Sequence, residues 1–119
     1  MFLVTLLTEQ KTLQVRLGDP MRNGCVKLPD TAIKENVLAL IVEATEILAE
    51  VNWKPWKILP SQVKEVDREK LLFEIVDAFQ FLANILNEAG FSAQDLADAY
   101  AAKLQENYRR REVAERSSR

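Results

Sequence analysis

The chain contains no histidine and a single cysteine, Cys25. Without histidine there is no Ser-His-Asp or Cys-His catalysis, no His-ligated zinc and no Glu-x-x-His di-iron site. One cysteine excludes an intramolecular disulfide and any multi-cysteine zinc site. A metal ion bound here must therefore be held by oxygen, which points to Mg²⁺, Mn²⁺ or Ca²⁺. Helix breakers are scarce: there are three glycines and four prolines, and all the prolines lie between residues 20 and 60. Long uninterrupted helices are expected elsewhere. The net charge of −2 gives no broad basic footprint for a nucleic acid polymer. No apolar run approaches the roughly 20 residues of a membrane span. The opening MFLVTLL is too short for a signal peptide and carries no basic segment before it. A cytoplasmic protein is expected.

The 119 residues, 48% apolar and 29% charged, suit one globular domain, 1–119, with one core. Leu3, Leu6, Leu7, Leu13 and Leu17 give residues 2–17 a helical pattern, which Gly18-Asp19-Pro20 stops. Residues 18–29 read as a loop with turn signals at Asn23-Gly24 and Pro29. Asp30 is an N-cap candidate for a helix to about Glu50, with an apolar stripe from Ile33 to Val51. Pro55 prevents a regular helix through Trp53-Lys54-Pro55-Trp56-Lys57. Ser61 or Asp67 caps the next helix, which ends at Gly90. Ser92-x-x-Asp95 is a capping box opening a last helix to roughly Arg111. The expectation is an all-α fold of four helices.

The acidic residues carry the chemistry. Between Leu71 and Leu86 the chain reads LLFEIVDAFQFLANIL, and Glu74 and Asp77 are its only charges. A helix apolar nearly all round is expected to be buried, and a buried carboxylate needs a cationic partner. No Lys or Arg lies within four residues downstream of either. On the preceding helix Glu43, Glu46 and Glu50 fall within about 60° of one another at about 100° per residue. Lys70, Asn84 and Glu88 extend the Glu74–Asp77 line into a polar stripe. Two such stripes facing each other form an all-oxygen metal cage. The bland readings are a solvated helix face for the first three acids and a distant salt bridge for the other two.

Glu43-x-x-Glu46-x-x-x-Glu50, the Trp53-Lys54-Pro55-Trp56-Lys57 segment and Glu74-x-x-Asp77 together resemble the all-α nucleoside triphosphate pyrophosphatases. That superfamily includes the MazG proteins and the dimeric dUTPases. Its signature is Glu-x-x-Glu followed downstream by Glu-x-x-Asp, and here 27 residues separate Glu46 from Glu74. The tryptophan segment and Asp67–Asp77 look more like the dimeric dUTPases than like MazG. Lys103-x-x-x-Asn107-x-x-Arg110 is similar to their Lys…Asn…Arg phosphate- and nucleoside-binding element.

The resemblance implies a bundle-type, oligomeric subunit, a homodimer or homotetramer. It implies Mg²⁺-dependent hydrolysis of a (deoxy)nucleoside triphosphate between the α and β phosphates, with Mn²⁺ as a substitute ion. A pyrimidine deoxynucleotide, dUTP or dCTP, is the expected substrate. Glu43, Glu46, Glu74 and Asp77 are the candidate metal ligands, with Glu50 a further ligand or a support for one. Glu46 or Glu43 would position or deprotonate the water. Lys54, Lys57, Lys103 and Arg110 are the phosphate-binding candidates, whereas Arg109 and Arg111 also read as solvated helix-end cations. Asn107, Trp53, Trp56, Asn84 and one of Gln10 or Gln14 are the nucleoside-binding candidates. The tryptophans alternatively pack an interhelical corner, and Asn84 alternatively satisfies a buried partner. Two other readings compete. A non-catalytic nucleotide-binding or oligomerisation module would lack one of the four acids, and all four are present. A Ca²⁺-stabilised bundle would place its acids in a loop, and these lie within helices.

Overall fold

A computed structural model of the chain describes residues 1–16, 21–22, 25–26, 29–54, 56 and 59–118. The fold is all-α, with four helices: α1 (Phe2–Arg16), α2 (Pro29–Ala49), α3 (Arg68–Glu88) and α4 (Ala93–Ser117). Between α1 and α2 the expected loop contains two short strands, β1 (Met21–Arg22) and β2 (Cys25–Val26). They pair antiparallel, Met21 with Val26 and Arg22 with Cys25. Two residues a strand are too few to show alternation in a sequence. The Gly18-Asp19-Pro20 stop, the Asn23-Gly24 turn, Pro55 and Lys57 lie outside the described residues.

Local chemistry sets the helix ends. α2 begins one residue before the expected cap, so Asp30 lies in its first turn, where a negative charge suits the helix dipole. Of the two possible caps for α3, Asp67 is used. Its Oδ1 accepts from the Lys70 N–H at 3.1 Å, while Ser61 belongs to a 3₁₀ turn over Pro60–Gln62. α3 closes with Gly90 at φ +80°, a conformation that glycine adopts without a Cβ penalty. The Phe91 N–H then reaches Leu86 O at 2.9 Å and the Gly90 N–H reaches Asn87 O at 3.1 Å, satisfying carbonyls the helix leaves open. The Ser92/Asp95 capping box forms in both directions, at 3.0 and 2.9 Å. α4 runs past Arg111 to Ser117, since nothing in that stretch breaks a helix and Arg111 pairs with Glu115 at 3.1 Å.

α2 and α3 pack together most extensively, α1 lies on α3, and α4 touches only α1 among the helices. Ala32 on α2 and Ala83 on α3, each 1% exposed, allow close helix approach, and Leu7 of α1 closes the small core. At its centre is a polar chain. Gln10 Nε2 donates to Asn84 Oδ1 (3.1 Å), Asn84 Nδ2 donates to Asn36 Oδ1 (3.0 Å), and Asn36 Nδ2 donates to Ala32 O (2.8 Å). Buried amides are kept in register by such mutual satisfaction. Asn87 adds a bond to Leu7 O at 2.9 Å.

The expectation of a buried α3 is corrected for the single chain. Leu72, Phe73, Val76 and Phe79 are exposed, Phe73 at 63%. Among the described residues only α1 and α2 pack on α3, too few to cover a helix apolar on all sides. The radius of gyration is 19.1 Å, against about 13–14 Å for a compact domain of this length. No helix among the described residues is long and apolar enough to cross a membrane.

Candidate functional site

The α2–α3 pairing decides which acids meet. Glu43 and Glu46 project from the last two turns of α2 and Glu74 from the second turn of α3. Each offers a carboxylate oxygen, and the three oxygens lie within 4.8 Å of one another. Glu43 and Glu74 are half-buried and Glu46 is exposed. One oxygen of Glu43 and one of Glu74, each its Oε2, are enclosed and have no hydrogen-bond partner. Among the described residues no ion pair reaches these acids. Lys70 instead pairs with Glu50 at 3.3 Å.

Crowding raises two carboxyl groups above their usual range. For Glu43 the largest cause is loss of solvent, followed by hydrogen bonding and repulsion from Glu46, then the charges of Asp77 and Glu74. For Glu74 the largest cause is hydrogen bonding to Glu46, followed by loss of solvent, then Glu46, Asp77 and Glu50. Like charges without a counter-charge shift each other this way. Asp77 is half-buried rather than buried as expected, because the α3 surface is incompletely covered. It is not one of the three clustered oxygens, but its charge acts on Glu43 and Glu74. The charge of Glu50 also acts on Glu74.

Glu43, Glu46 and Glu74 thus form an all-carboxylate cluster between two facing helices. A family model described as dUTPase matches residues 2–89 of the 119, the span from α1 through α3 that builds this cluster. The chain belongs to that family. No curated protein and no solved structure matches it.

In this dUTPase-family chain the other candidates divide by element. Gln10 and Asn84, 5% and 4% exposed, are spent on each other within the helix interface, so Asn84 satisfies a buried partner. Gln14, one turn further along α1, is half-exposed. Trp53 and Trp56 follow α2 and meet edge-to-face, with ring centroids 6.3 Å apart. Lys54 Nζ lies 4.6 Å from the Trp53 ring centroid, in cation–π range. Lys103, Asn107 and Arg110 sit on exposed α4, beyond the family match. Because α4 does not pack on α2 or α3, the single chain does not bring these three to the acid cluster. Arg110 and Arg109 both pair with Glu106, at 3.2 and 2.6 Å, and Arg109 holds the Glu106 carboxyl down at about 2.

Sequence reasoning missed Asn36, Asn52 and Lys64. Asn36 lies seven positions before Glu43, two helical turns along the same face, and that spacing was its available signal.

Proposed function

We propose that this chain is a Mg²⁺-dependent nucleoside triphosphate pyrophosphohydrolase that converts a pyrimidine deoxynucleoside triphosphate, dUTP or dCTP, to monophosphate and pyrophosphate. The observation that carries the reading is the uncompensated acid cluster. Glu43, Glu46 and Glu74 place three oxygens within 4.8 Å, Glu43 and Glu74 each enclose an oxygen without a partner, and both resist ionisation. A divalent cation suits that donor set, since hard ions take carboxylate oxygen. Glu43, Glu46, Glu74 and Asp77 would hold it, with Glu50 as a further contributor, and Mn²⁺ would serve as a substitute. When bound, such an ion neutralises the triphosphate and acidifies a coordinated water.

The chain's own groups do the rest. Glu46, the exposed member, or Glu43 takes the proton from the attacking water. Lys54, Lys57, Lys103 and Arg110 grip the phosphates, which must be held in line for displacement. Trp53 and Trp56 flank the nucleoside. Asn107 and Gln14 or Gln10 read polar edges of the base; Gln14 is the one whose side chain is not already bonded in the core.

The functional unit is a homodimer or homotetramer. What supports this is the exposed apolar surface of α3 and the extended shape of the single chain. Association would also give α4 a surface to pack on and a route for its Lys103, Asn107 and Arg110 to a phosphate. Pyrophosphate release from a panel of the eight common triphosphates with Mg²⁺ tests the reading. Turnover of dUTP or dCTP, lost in Asp77→Ala, is expected. No turnover of any triphosphate would refute it, and a purine preference would refute the base assignment alone.

A further inference from the structure

The segment between α2 and α3 is fastened at its base. Asn52 lies three residues beyond the last residue of α2, and its side-chain amide makes two bonds to one backbone unit twelve residues later. Its Nδ2 donates to Lys64 O at 2.8 Å, and its Oδ1 accepts from the Lys64 N–H at 3.2 Å. The Lys64 ammonium turns back to the carbonyl of Ala49, the last residue of α2, where a cation complements the helix dipole. Close by, Lys70 in the first turn of α3 pairs with Glu50 at 3.3 Å. Three contacts thus tie the C-terminal end of α2 to the approach and start of α3.

Trp53 and Trp56 lie between the two clasped positions, 44% and 70% exposed. Exposed tryptophans rarely contribute to a core, and here they are turned toward each other and toward Lys54. Glu50, the residue after α2, is one turn beyond Glu46, and Lys70 is one turn before Glu74 on α3. The fastened end is therefore the end of the helix pair immediately adjoining the acid cluster. An asparagine that bonds both the N–H and the C=O of a distant residue substitutes for one rung of a ladder. It fixes the chain's exit direction from α2, and with it the direction in which the tryptophans point.

We propose that Asn52 is a positioning residue. Its clasp on Lys64 holds Trp53 and Trp56 toward the acid cluster and thereby sets the affinity for the nucleotide. The proposal rests on the pyrophosphatase reading for its ligand, but its structural half can be measured without it. The chain has two tryptophans, and both lie in this loop, so intrinsic fluorescence reports on the loop alone.

The test compares the full chain with Asn52→Ala, which removes both bonds, and with Asn52→Asp, which keeps the acceptor for the Lys64 N–H. Without nucleotide, Asn52→Ala should show lower tryptophan anisotropy and stronger acrylamide quenching, at unchanged far-ultraviolet helicity. With Mg²⁺ and whichever of dUTP and dCTP is turned over faster, its KM should rise about tenfold while kcat changes little, a loss of roughly 1.4 kcal/mol of binding. Asn52→Asp should fall between Asn52→Ala and the parent in both measurements. Unchanged quenching and anisotropy in Asn52→Ala would overturn the clasp. A freed loop with unchanged KM, or a fall in kcat at constant KM, would overturn its role in affinity. If the parent turned over no triphosphate, the pyrophosphatase reading would fall and take the affinity role with it. The quenching comparison would still decide whether Asn52 holds the loop.

Discussion

Replacing Glu74 by glutamine separates a structural carboxylate from a metal ligand, because the two roles predict opposite signs. The side chain keeps its size and loses its charge. In the metal-free chain the Glu74 carboxyl is raised above the usual 4.5, so folding disfavours its ionised form. Stability from a raised acid is fully present below the unfolded pKa and is lost as pH rises through the folded one. At pH 7.5 without metal, Glu74→Gln should therefore melt higher than the parent. Adding Mg²⁺ should reverse the order. At a free concentration roughly a hundred times Kd, binding to the folded state adds about 2.7 kcal/mol to the parent. Unfolding entropy of about 2.1 cal/mol/K per residue over 119 residues is roughly 0.25 kcal/mol/K, so Tm should rise by roughly 10 °C. A variant binding a hundredfold more weakly would gain only about 0.4 kcal/mol, roughly 2 °C. Differential scanning calorimetry with and without chelator, over a Mg²⁺ titration, gives all four Tm values. A metal-free Glu74→Gln that melts below the parent would refute the repulsion argument. A parent indifferent to Mg²⁺, or a variant that gains as much as the parent, would refute the metal site.

The same linkage predicts a pH trend. With Glu43 and Glu74 both raised, the chelated parent should lose stability as pH rises above about 4.5, and saturating Mg²⁺ should flatten or invert that slope; a chelated Tm that rises there would contradict the cluster. Asn84→Ala strands the Gln10 donor and frees the Asn36 acceptor, so it should cost about 2–3 kcal/mol in chemical denaturation. The Gln10→Ala/Asn84→Ala cycle should show a coupling of about 1 kcal/mol, and additivity would mean that the bond contributes nothing. For specificity, Asn107→Ala should lower kcat/KM for the preferred base far more than for the others, whereas Asp77→Ala should abolish turnover of every triphosphate alike. Equal losses across bases in Asn107→Ala would remove it as a reader.

The parts of this molecule that could be read from its sequence are those fixed by neighbours in the chain. Ser92 and Asp95 are three residues apart, and their reciprocal capping needs only local geometry. Asp67 capping Lys70 is the same kind of contact, and Gly90 ends α3 because the αL position suits it. Glu43, Glu46 and Glu74 were visible for a different reason. In a chain without histidine, acids on apolar helices stand out by type alone, and helical spacing then orders Glu43 and Glu46 on one face. Asn36 and Asn84 shared the helical spacing but nothing that named their partners, and Asn52, beyond the end of α2, had not even that. An asparagine looks the same in a sequence whether it faces solvent or completes a chain of amides, and their partners lie 48, 12 and 74 residues away. The register of α1 and α2 on α3 supplies the partners of Asn36 and Asn84, and the path of the connection from α2 to α3 supplies that of Asn52.

The apolar stretch 71–86 shows how a correct local reading can yield a wrong expectation for one chain. Its composition predicts a helix covered on all sides, and the helix forms, yet α1 and α2 cover only part of its circumference. Ala83 and Asn84 are buried against them, whereas Phe73 and Phe79 face outward, 63% and 48% exposed. Hydrophobic burial is proportional to area removed from water, so side chains left about half uncovered forfeit about half of the roughly 1.5–3 kcal/mol that full burial gives. The pattern in the sequence therefore specifies cover that four helices of one chain do not provide. The acid cluster lies on the same helix, and the two features make a joint demand. The face with Glu74 needs a cation, and the face with Phe73 needs an apolar partner. On the reading proposed here, Mg²⁺ with a triphosphate meets the first and a second copy of the chain meets the second. Sedimentation at micromolar concentration tests the second separately. A monomer there would leave the exposed face of α3 unexplained while leaving the charge argument at Glu74 intact.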